Sequence, residues 1–248
     1  MTETPPSALA LTLTYYGHCA FLWQTPQGVR ALIDPYRNLP PDRYWFARRF
    51  PEVECDLALI THAHFDHDAA DRLPESTSII RMPGEFSYRD LKVRGILDRH
   101  SGPRSGRLEF PNVMFRLEAS GISFLHLGDN RVQWLAEVRQ AVGNIDVLMV
   151  TVDDSCHLLS YQGVEQLIAQ VNLRVVVPMH YLIPGLTAES STLKTPEQWL
   201  ATRSGVKRLG RSSIVLSRES LPATTEVWVL EPAPESLAAP PVAPPAGS

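Results

Sequence analysis

Leu11 to Tyr16 alternates Leu and Thr with the period of two that a half-buried strand shows. Ala20 to Gln24 and Val29 to Ile33 read as two further strands across the turn signal Pro26-Gln27-Gly28, so the chain opens as a β-meander. Asp34-Pro35 closes the meander and leaves Asp34 at a strand end. Residues 36 to 55 form a long connection containing Tyr44-Trp45-Phe46-Ala47-Arg48-Arg49-Phe50, which suits either a functional loop or a short amphipathic surface helix. Leu57 to Ile60 reads as a buried strand and Ser78 to Arg81 as a short one. Glu85 to Leu91 is expected to be a short helix. Arg94 to Leu97 then leads into the polar, turn-prone Asp98-Arg99-His100-Ser101-Gly102.

Val113 to Leu117 and Ile122 to Leu127 predict a hairpin across Ala119-Ser120-Gly121, ending at His126-Leu127-Gly128-Asp129-Asn130. Val132 to Val142 is helix-like, with Val132, Leu135, Ala136 and Val138 on one side. Asp146 to Thr151 is a buried strand running into Asp153-Asp154-Ser155-Cys156-His157. Tyr161 to Val171 has the helical spacing Val164, Leu167, Ile168, Val171. Arg174 to Val177 is a strand ending at Pro178-Met179-His180-Tyr181. Thr195-Pro196-Glu197-Gln198 predicts a helix start capped by Thr195 with Pro196 first. Ser213 to Leu216 and Val227 to Leu230 are closing strands. Strands followed by short helices define an α/β chain, with a short extension over 1–10, one domain over 11–231 and a disordered Pro/Ala-rich tail over 232–248.

Polar residues recur at the strand ends. The densest stretch is Thr61-His62-Ala63-His64-Phe65-Asp66-His67-Asp68, directly after Leu57 to Ile60. In extended chain His62 and His64 share a face and can point at one ion, while Asp66 and His67 fall where the chain turns, facing a second. With 8 His and 12 Asp in 248 residues, chance matches to His-x-His-x-Asp-His number on the order of 4 × 10⁻⁴. A solvated loop after a buried strand is the bland alternative, and it explains four closely spaced metal-type ligands poorly. Imidazole and carboxylate together suit Zn, Fe or Mn.

Composition narrows the class without naming a reaction. A net charge of −4 offers no basic field for nucleic acid. Cys19, Cys55 and Cys156 are odd in number and lack Cys-x-x-Cys spacing, which argues against a disulfide framework and for a reducing compartment. Met1 to Ala10 has no Lys, Arg or apolar run, and no stretch approaches the ~18 apolar residues of a membrane span. The expectation is a cytoplasmic protein with a small-molecule substrate and neither nucleic acid nor membrane as partner; a homo-oligomer is left open.

The motifs, taken in order, resemble the metallo-β-lactamase fold superfamily of metal-dependent hydrolases: Asp34, then His62, His64, Asp66 and His67, then His100, Asp129 and His180. The phrases Tyr16-Gly17-His18, Leu32-Ile33-Asp34-Pro35, His126-Leu127-Gly128-Asp129 and Val177-Pro178-Met179-His180-Tyr181 are most similar to the branch containing L-ascorbate-6-phosphate lactonase. The resemblance implies a four-layer αββα sandwich of two mixed sheets with outer helices. It also implies two divalent ions, zinc first and manganese or iron as alternatives. His62, His64 and His100 would hold one ion and Asp66, His67 and His180 the other, with Asp129 bridging and Asp34 orienting a ligand imidazole. His126 competes with His100 for the third histidine. His100 is preferred because it follows a strand-like run and precedes Ser-Gly, whereas His126 alternates inward with Phe124 as a structural His would. His18 reads as structural or as bordering the site.

The same resemblance implies a metal-bridging hydroxide attacking a small ester, lactone or phosphodiester, and the arginines Arg43, Arg48, Arg49, Arg99 and Arg104 suggest that it is anionic. Asp66 and Asp129 are the catalytic carboxylates, with Asp66 orienting the nucleophile and passing a proton to the leaving group. His157, Tyr181, Arg99 and Arg48 are candidate substrate contacts, with Arg43, Arg49 and Arg104 nearby in sequence. The Thr151 to His157 segment departs from the Pro- and Gly-rich turn of the branch, which bears on the substrate. A glyoxalase II-like thioesterase and a non-catalytic metal-binding or sensory domain are the alternatives. A nuclease is disfavoured by charge, and antibiotic hydrolysis by the Asp at 129, where the best-known β-lactamases of the fold carry Cys.

Overall fold

Period-two burial organises both sheets of the computed structural model, which describes residues 10–37, 45–101 and 110–234. The strands are β1 (Leu11–Gly17), β2 (Ala20–Gln24), β3 (Arg30–Ile33), β4 (Leu57–Leu59), β5 (Ser78–Ile80), β6 (Gly84–Tyr88), β7 (Leu91–Arg99), β8 (Pro111–Ala119), β9 (Ile122–His126), β10 (Val147–Thr151), β11 (Val175–Met179), β12 (Val206–Arg208), β13 (Ser213–Leu216) and β14 (Glu226–Val229). The helices are α1 (Ala136–Val142), α2 (Tyr161–Ala169) and α3 (Glu197–Ala201). One sheet runs β13-β1-β2-β3-β4-β5 and the other β12-β14-β11-β10-β9-β8-β7-β6. Each combines an antiparallel meander, β1 to β3 or β6 to β9, with parallel strands beside it.

Odd and even positions of the central strands go to different cores. Phe115, Leu117, Met149 and Val177 face Leu13, Phe21 and Trp23 in the apolar layer between the sheets. Their neighbours Met114, Leu148, Val150 and Val176 turn to the other face, where Val138, Val142, Val164, Leu167, Trp199 and Leu200 of the three helices cover them. Strands buried on both faces read as continuous apolar runs, as Val147 to Thr151 does. The result is an α/β sandwich of two mixed sheets, in which the three described α-helices all pack on the eight-stranded sheet.

Several elements differ from the sequence reading. Glu85 to Leu91 is not a helix: β6 and β7 form a hairpin with Glu85 opposite Arg94 and Phe86 opposite Val93. Its tip is Arg89-Asp90, with Arg89 at φ 52°, and Asp90 accepts hydrogen bonds from Thr25 Oγ1 (2.6 Å) and the Gln27 amide (3.0 Å) on the other sheet. Phe86, Ser87 and Tyr88 are poor helix formers, and sheet pairing decided the segment. Asp98 and Arg99 likewise extend β7 rather than opening a turn, and β12 was not foreseen. The first helix begins only at Ala136. Trp45 to Phe50 contains no helix; Phe46 instead bridges to Thr187.

The cap of α3 is not Thr195. Pro196 precedes the helix, and the Asp154 carboxylate accepts from the amides of Gln198 (3.0 Å) and Trp199 (3.4 Å). A carboxylate at a helix N-terminus satisfies orphan amides and suits the dipole there. The tail does not begin at Pro232, since Ala233 is buried and its amide bonds the Tyr15 carbonyl at 2.8 Å. The extension and tail over 1–9 and 235–248, and Arg43, Tyr44 and Arg104, lie outside the described residues. Among the described residues no helix is long and apolar enough to cross a membrane.

Candidate metal centre

Each donor lies where a strand ends. Asp34 follows β3, His62 to His67 follow β4, His100 follows β7, Asp129 follows β9 by three residues and His180 follows β11. β3 and β4 are parallel, as are β9, β10 and β11, so the carboxyl ends of strands from both sheets meet on one edge. Backbone bonds close the seam: the Val113 amide donates to the Thr61 carbonyl (2.8 Å) and the His180 amide to the His18 carbonyl (3.0 Å).

Local chemistry aims the side chains. After Thr61 the chain turns tightly, with the His64 carbonyl accepting from the amides of His67 (3.0 Å) and Asp68 (2.9 Å). Asp34 fixes that turn from behind. Its Oδ1 accepts from the Thr61 amide (2.8 Å) and its Oδ2 from the Thr61 hydroxyl (2.7 Å) and His67 Nδ1 (2.8 Å). Asp129 is delivered by Gly128, at φ 55°, where a Cβ would stand 2.6 Å from Asn112 Oδ1 and 2.7 Å from Thr61 Oγ1. Only glycine fits there. Asn112 Oδ1 accepts the Asp129 amide (3.3 Å), and its Nδ2 donates to the Leu127 carbonyl (2.8 Å) and Asn130 Oδ1 (3.0 Å).

The side chains converge as two adjacent donor groups, His62, His64, His100 and Asp129 in one and His18, Asp66, His67 and His180 in the other. Asp129 lies between them. Its Oδ2 is 3.2 Å from His100 Nε2, 3.7 Å from His62 Nε2 and 3.5 Å from His180 Nε2, and its Oδ1 is 3.3 Å from His67 Nε2. Asp66 Oδ2 is 3.5 Å from both His67 Nε2 and His180 Nε2.

Whether these residues suit cations is tested by what they leave unpaired. His67 Nε2, His100 Nε2, Asp129 Oδ1 and both nitrogens of His180 are buried with no hydrogen-bond partner. Orphaned buried polar atoms are costly; others lie scattered through the fold, as at Trp23 Nε1 and Ser120 Oγ, whereas these five belong to side chains that converge on Asp129. The far nitrogens are held as a metal ligand's would be: His67 Nδ1 by Asp34, His62 Nδ1 by the Thr61 hydroxyl (3.0 Å) and His100 Nδ1 by the Ser101 carbonyl. The donors fit divalent ions of the Zn, Mn or Fe kind.

The charges are strongly coupled. Burial would raise the Asp66 carboxyl, but the charge of His67 and the adjacent imidazoles of His18 and His180 outweigh it and hold it well below the carboxylate range. Asp129 is held down in the same way, by His67 and His180 against burial. Burial works to lower His180, yet Asp129 outweighs it and pushes the imidazole up to about 9. For His62 burial prevails and drives it well below its ordinary value.

The expected site residues divide cleanly. Asp34, His62, His64, Asp66, His67, His100, Asp129 and His180 come together. His126 does not join them: its Nε2 bonds the Cys19 carbonyl (2.9 Å) and its Nδ1 accepts the Gly128 amide (3.1 Å), so both nitrogens are used. His157 lies at the rim, its ring 5.9 Å from that of His180 and 5.4 Å from Trp45. Three expected substrate contacts lie elsewhere. Tyr181 is buried in the apolar layer, and Arg48 donates to the Ala233 carbonyl (3.0 Å). Arg99 is exposed, and strand alternation directs it away from the face of His100.

Sequence reasoning missed the rings around the mouth. Phe110 stacks on His64 (4.6 Å, 13°) and Trp45 meets Phe65 edge-on (5.6 Å). Aromatics in loops carry no periodic signal. The departure at 151–157 has a structural account: Asp153 accepts from the amides of Ser155 (2.7 Å) and His157 (3.2 Å), while Asp154 caps α3.

Comparison with known proteins agrees with this geometry. Residues 12–180 match the family model of the β-lactamase superfamily domain. A stretch of 60 residues is 43% identical to a UPF0173 metal-dependent hydrolase of Thermodesulfovibrio yellowstonii, spanning 23% of this chain and only 22% of that one. Over 192 residues the chain is 26% identical to a UPF0173 metal-dependent hydrolase of Thermococcus onnurineus, covering 67% of this chain and 83% of the relative. The fold is shared with the crystal structure of a candidate Zn-dependent hydrolase of the metallo-β-lactamase superfamily from Thermotoga maritima, at TM-score 0.67 and 23% identity over 89% of this chain and 98% of that one. With strand-end donors, sandwich and family model in agreement, this chain belongs to the β-lactamase superfamily.

Proposed function

We propose that the chain is a metal-dependent hydrolase that uses two divalent ions to cleave a small ester, lactone or phosphodiester. The observation that carries this reading is the set of orphaned buried donors converging on Asp129 from both sheets. His62, His64 and His100 would hold one ion, Asp66, His67 and His180 the other, and Asp129 both. Ions held there would supply a water acidic enough to ionise near neutral pH and would stabilise the oxygen that becomes anionic.

The chain's own residues do the rest. Asp34 holds His67 through Nδ1, which leaves Nε2 as the donor. Asp66 would orient the attacking water and hand its proton to the leaving group. His157, Trp45, Phe65 and Phe110 wall the mouth, which favours a substrate with a flat or apolar portion against those rings. Kinship with the L-ascorbate-6-phosphate lactonase branch is supported by the strand-end phrases, a cytoplasmic setting by the unpaired cysteines, and an anionic substrate by the arginines near His100 and on the 36–55 connection. That anionic reading loses Arg48 and Arg99 as contacts.

The test is metal analysis of the purified chain together with turnover of an aryl lactone, a thioester and bis-p-nitrophenyl phosphate. Two ions per chain and hydrolysis of at least one oxygen ester or phosphodiester are expected. Thioester turnover alone would move the reading to a glyoxalase II-like enzyme, and metal uptake with no turnover to a binding domain.

A further inference from the structure

His18 belongs to the turn between β1 and β2, outside every motif that gave the ligand set. It is fully buried, and its Nε2 lies 3.1 Å from Asp66 Oδ2. Its ring is 4.1 Å from that of His180 and 5.4 Å from that of His67. Its carbonyl accepts both the His180 amide (3.0 Å) and the Tyr15 hydroxyl (3.1 Å). One residue thus touches Asp66 from the first sheet and His180 from the second.

The backbone here is unusual. His18, Asp34 and His180 have φ of 54°, 45° and 60°, three of the seven non-glycine residues in the left-handed region among the described residues. Such conformations persist where the surroundings impose them, and they concentrate at functional sites. Gly17 allows the turn: at φ 97° a Cβ would stand 2.3 Å from Leu186 Cδ1.

Two roles are open to an imidazole so placed, a metal donor or a hydrogen-bond donor to Asp66. The near nitrogens distinguish them. In His67, His100 and His180 Nε2 is buried with no hydrogen-bond partner, as suits a ligand, whereas His18 Nε2 is already engaged with Asp66 Oδ2 at 3.1 Å. His18 Nδ1 is buried with no partner, so no acceptor fixes a proton there. The tautomer that wastes least has its proton on Nε2, where it is donated to Asp66 Oδ2.

We infer that His18 is a positioning residue, which holds the Asp66 carboxylate through Nε2–H and the His180 backbone through its carbonyl, and so sets the geometry of the second ion's site. This rests on the two-ion reading above. Nothing in the inference requires His18 to bind metal or substrate.

The test uses the full chain as wild type, His18→Leu and His18→Gln, with Zn(II) alone as the probe in chelator competition, beside thermal unfolding. Glutamine keeps an N–H at about the reach of Nε2 but is a poor zinc ligand. In His18→Leu the second Zn(II) is expected to weaken by about 10- to 100-fold while the first stays within about threefold; His18→Gln should recover most of the loss. Wild-type binding of both ions by His18→Leu overturns the proposal. So does a folded His18→Gln as defective as His18→Leu, which would make the imidazole itself a ligand. If neither variant folds, His18 is a core histidine and the proposal fails; if only His18→Leu fails to fold, retention of the second ion by His18→Gln decides for it and loss against it. Uptake of fewer than two ions by the wild type would bring down the two-ion reading first, an outcome separate from any effect of the variants.

Discussion

Asp34 and Asp129 grip opposite ends of the same imidazole: His67 Nδ1 lies 2.8 Å from Asp34 Oδ2, and Nε2 points at Asp129 Oδ1, 3.3 Å away. One carboxylate orients the ring and the other shares its destination. Replacing Asp34 by Asn keeps the shape but weakens the acceptor for His67 and for Thr61. Zinc affinity should fall by about 10- to 100-fold, and stability by about 1–3 kcal/mol, read by chelator competition and denaturant unfolding. Unchanged zinc affinity would remove Asp34 from the centre.

Asp129→Ala should abolish binding of both ions, because this carboxylate faces both donor groups. Arg48→Ala should leave KM within about twofold for whatever substrate is turned over, since its guanidinium is committed to the Ala233 carbonyl. Kinetics on the two variants, with metal content measured alongside, separate ligand from bystander. A large KM increase in Arg48→Ala would return that residue to the substrate.

Gly128→Ala is expected to cost about 1–3 kcal/mol, through a positive φ and a Cβ meeting Asn112 and Thr61. Both neighbours serve the centre, so zinc affinity should drop with stability. A variant as stable as wild type would show that the contact relaxes freely.

His126 makes stability depend on pH. Burial lowers its pKa from the ordinary 6.5, and the Gly128 amide occupies the nitrogen a second proton would need. The unfolded chain therefore takes up a proton below about pH 6.5 that the folded chain refuses, and stability falls as pH falls through that range. One such group contributes up to about 1.4 kcal/mol per pH unit. Unfolding free energies between pH 8 and 5 for wild type and His126→Gln should converge toward low pH; parallel curves would mean that His126 titrates alike in both states.

The parts of the fold that were legible are those set by local periodicity. β2 follows from Ala20 to Gln24 and the hairpin of β8 and β9 from alternation around Ser120-Gly121, whose φ values of 54° and 71° suit a two-residue turn. His62, His64, Asp66 and His67 were legible because four ligand-type residues within six positions have few other uses. The failures need distant partners. Asp154 caps a helix more than forty residues away, Glu85 to Tyr88 took its form from β7, and Arg48 was claimed by Ala233. His100 and His126 look alike as letters. They separate only when the second is seen with both nitrogens spent on backbone.

The donor set straddles the seam between the sheets, with His62, His64, Asp66 and His67 from one and His100, Asp129 and His180 from the other. Ions gripped from both sides would act as rivets, so the two halves of the sandwich should melt together when loaded and loosen when stripped. By mass action, a free ion at 100 times its dissociation constant contributes about 2.7 kcal/mol per site. The reaction centre is thereby also a joint, and metal supply would govern how long the folded chain lasts.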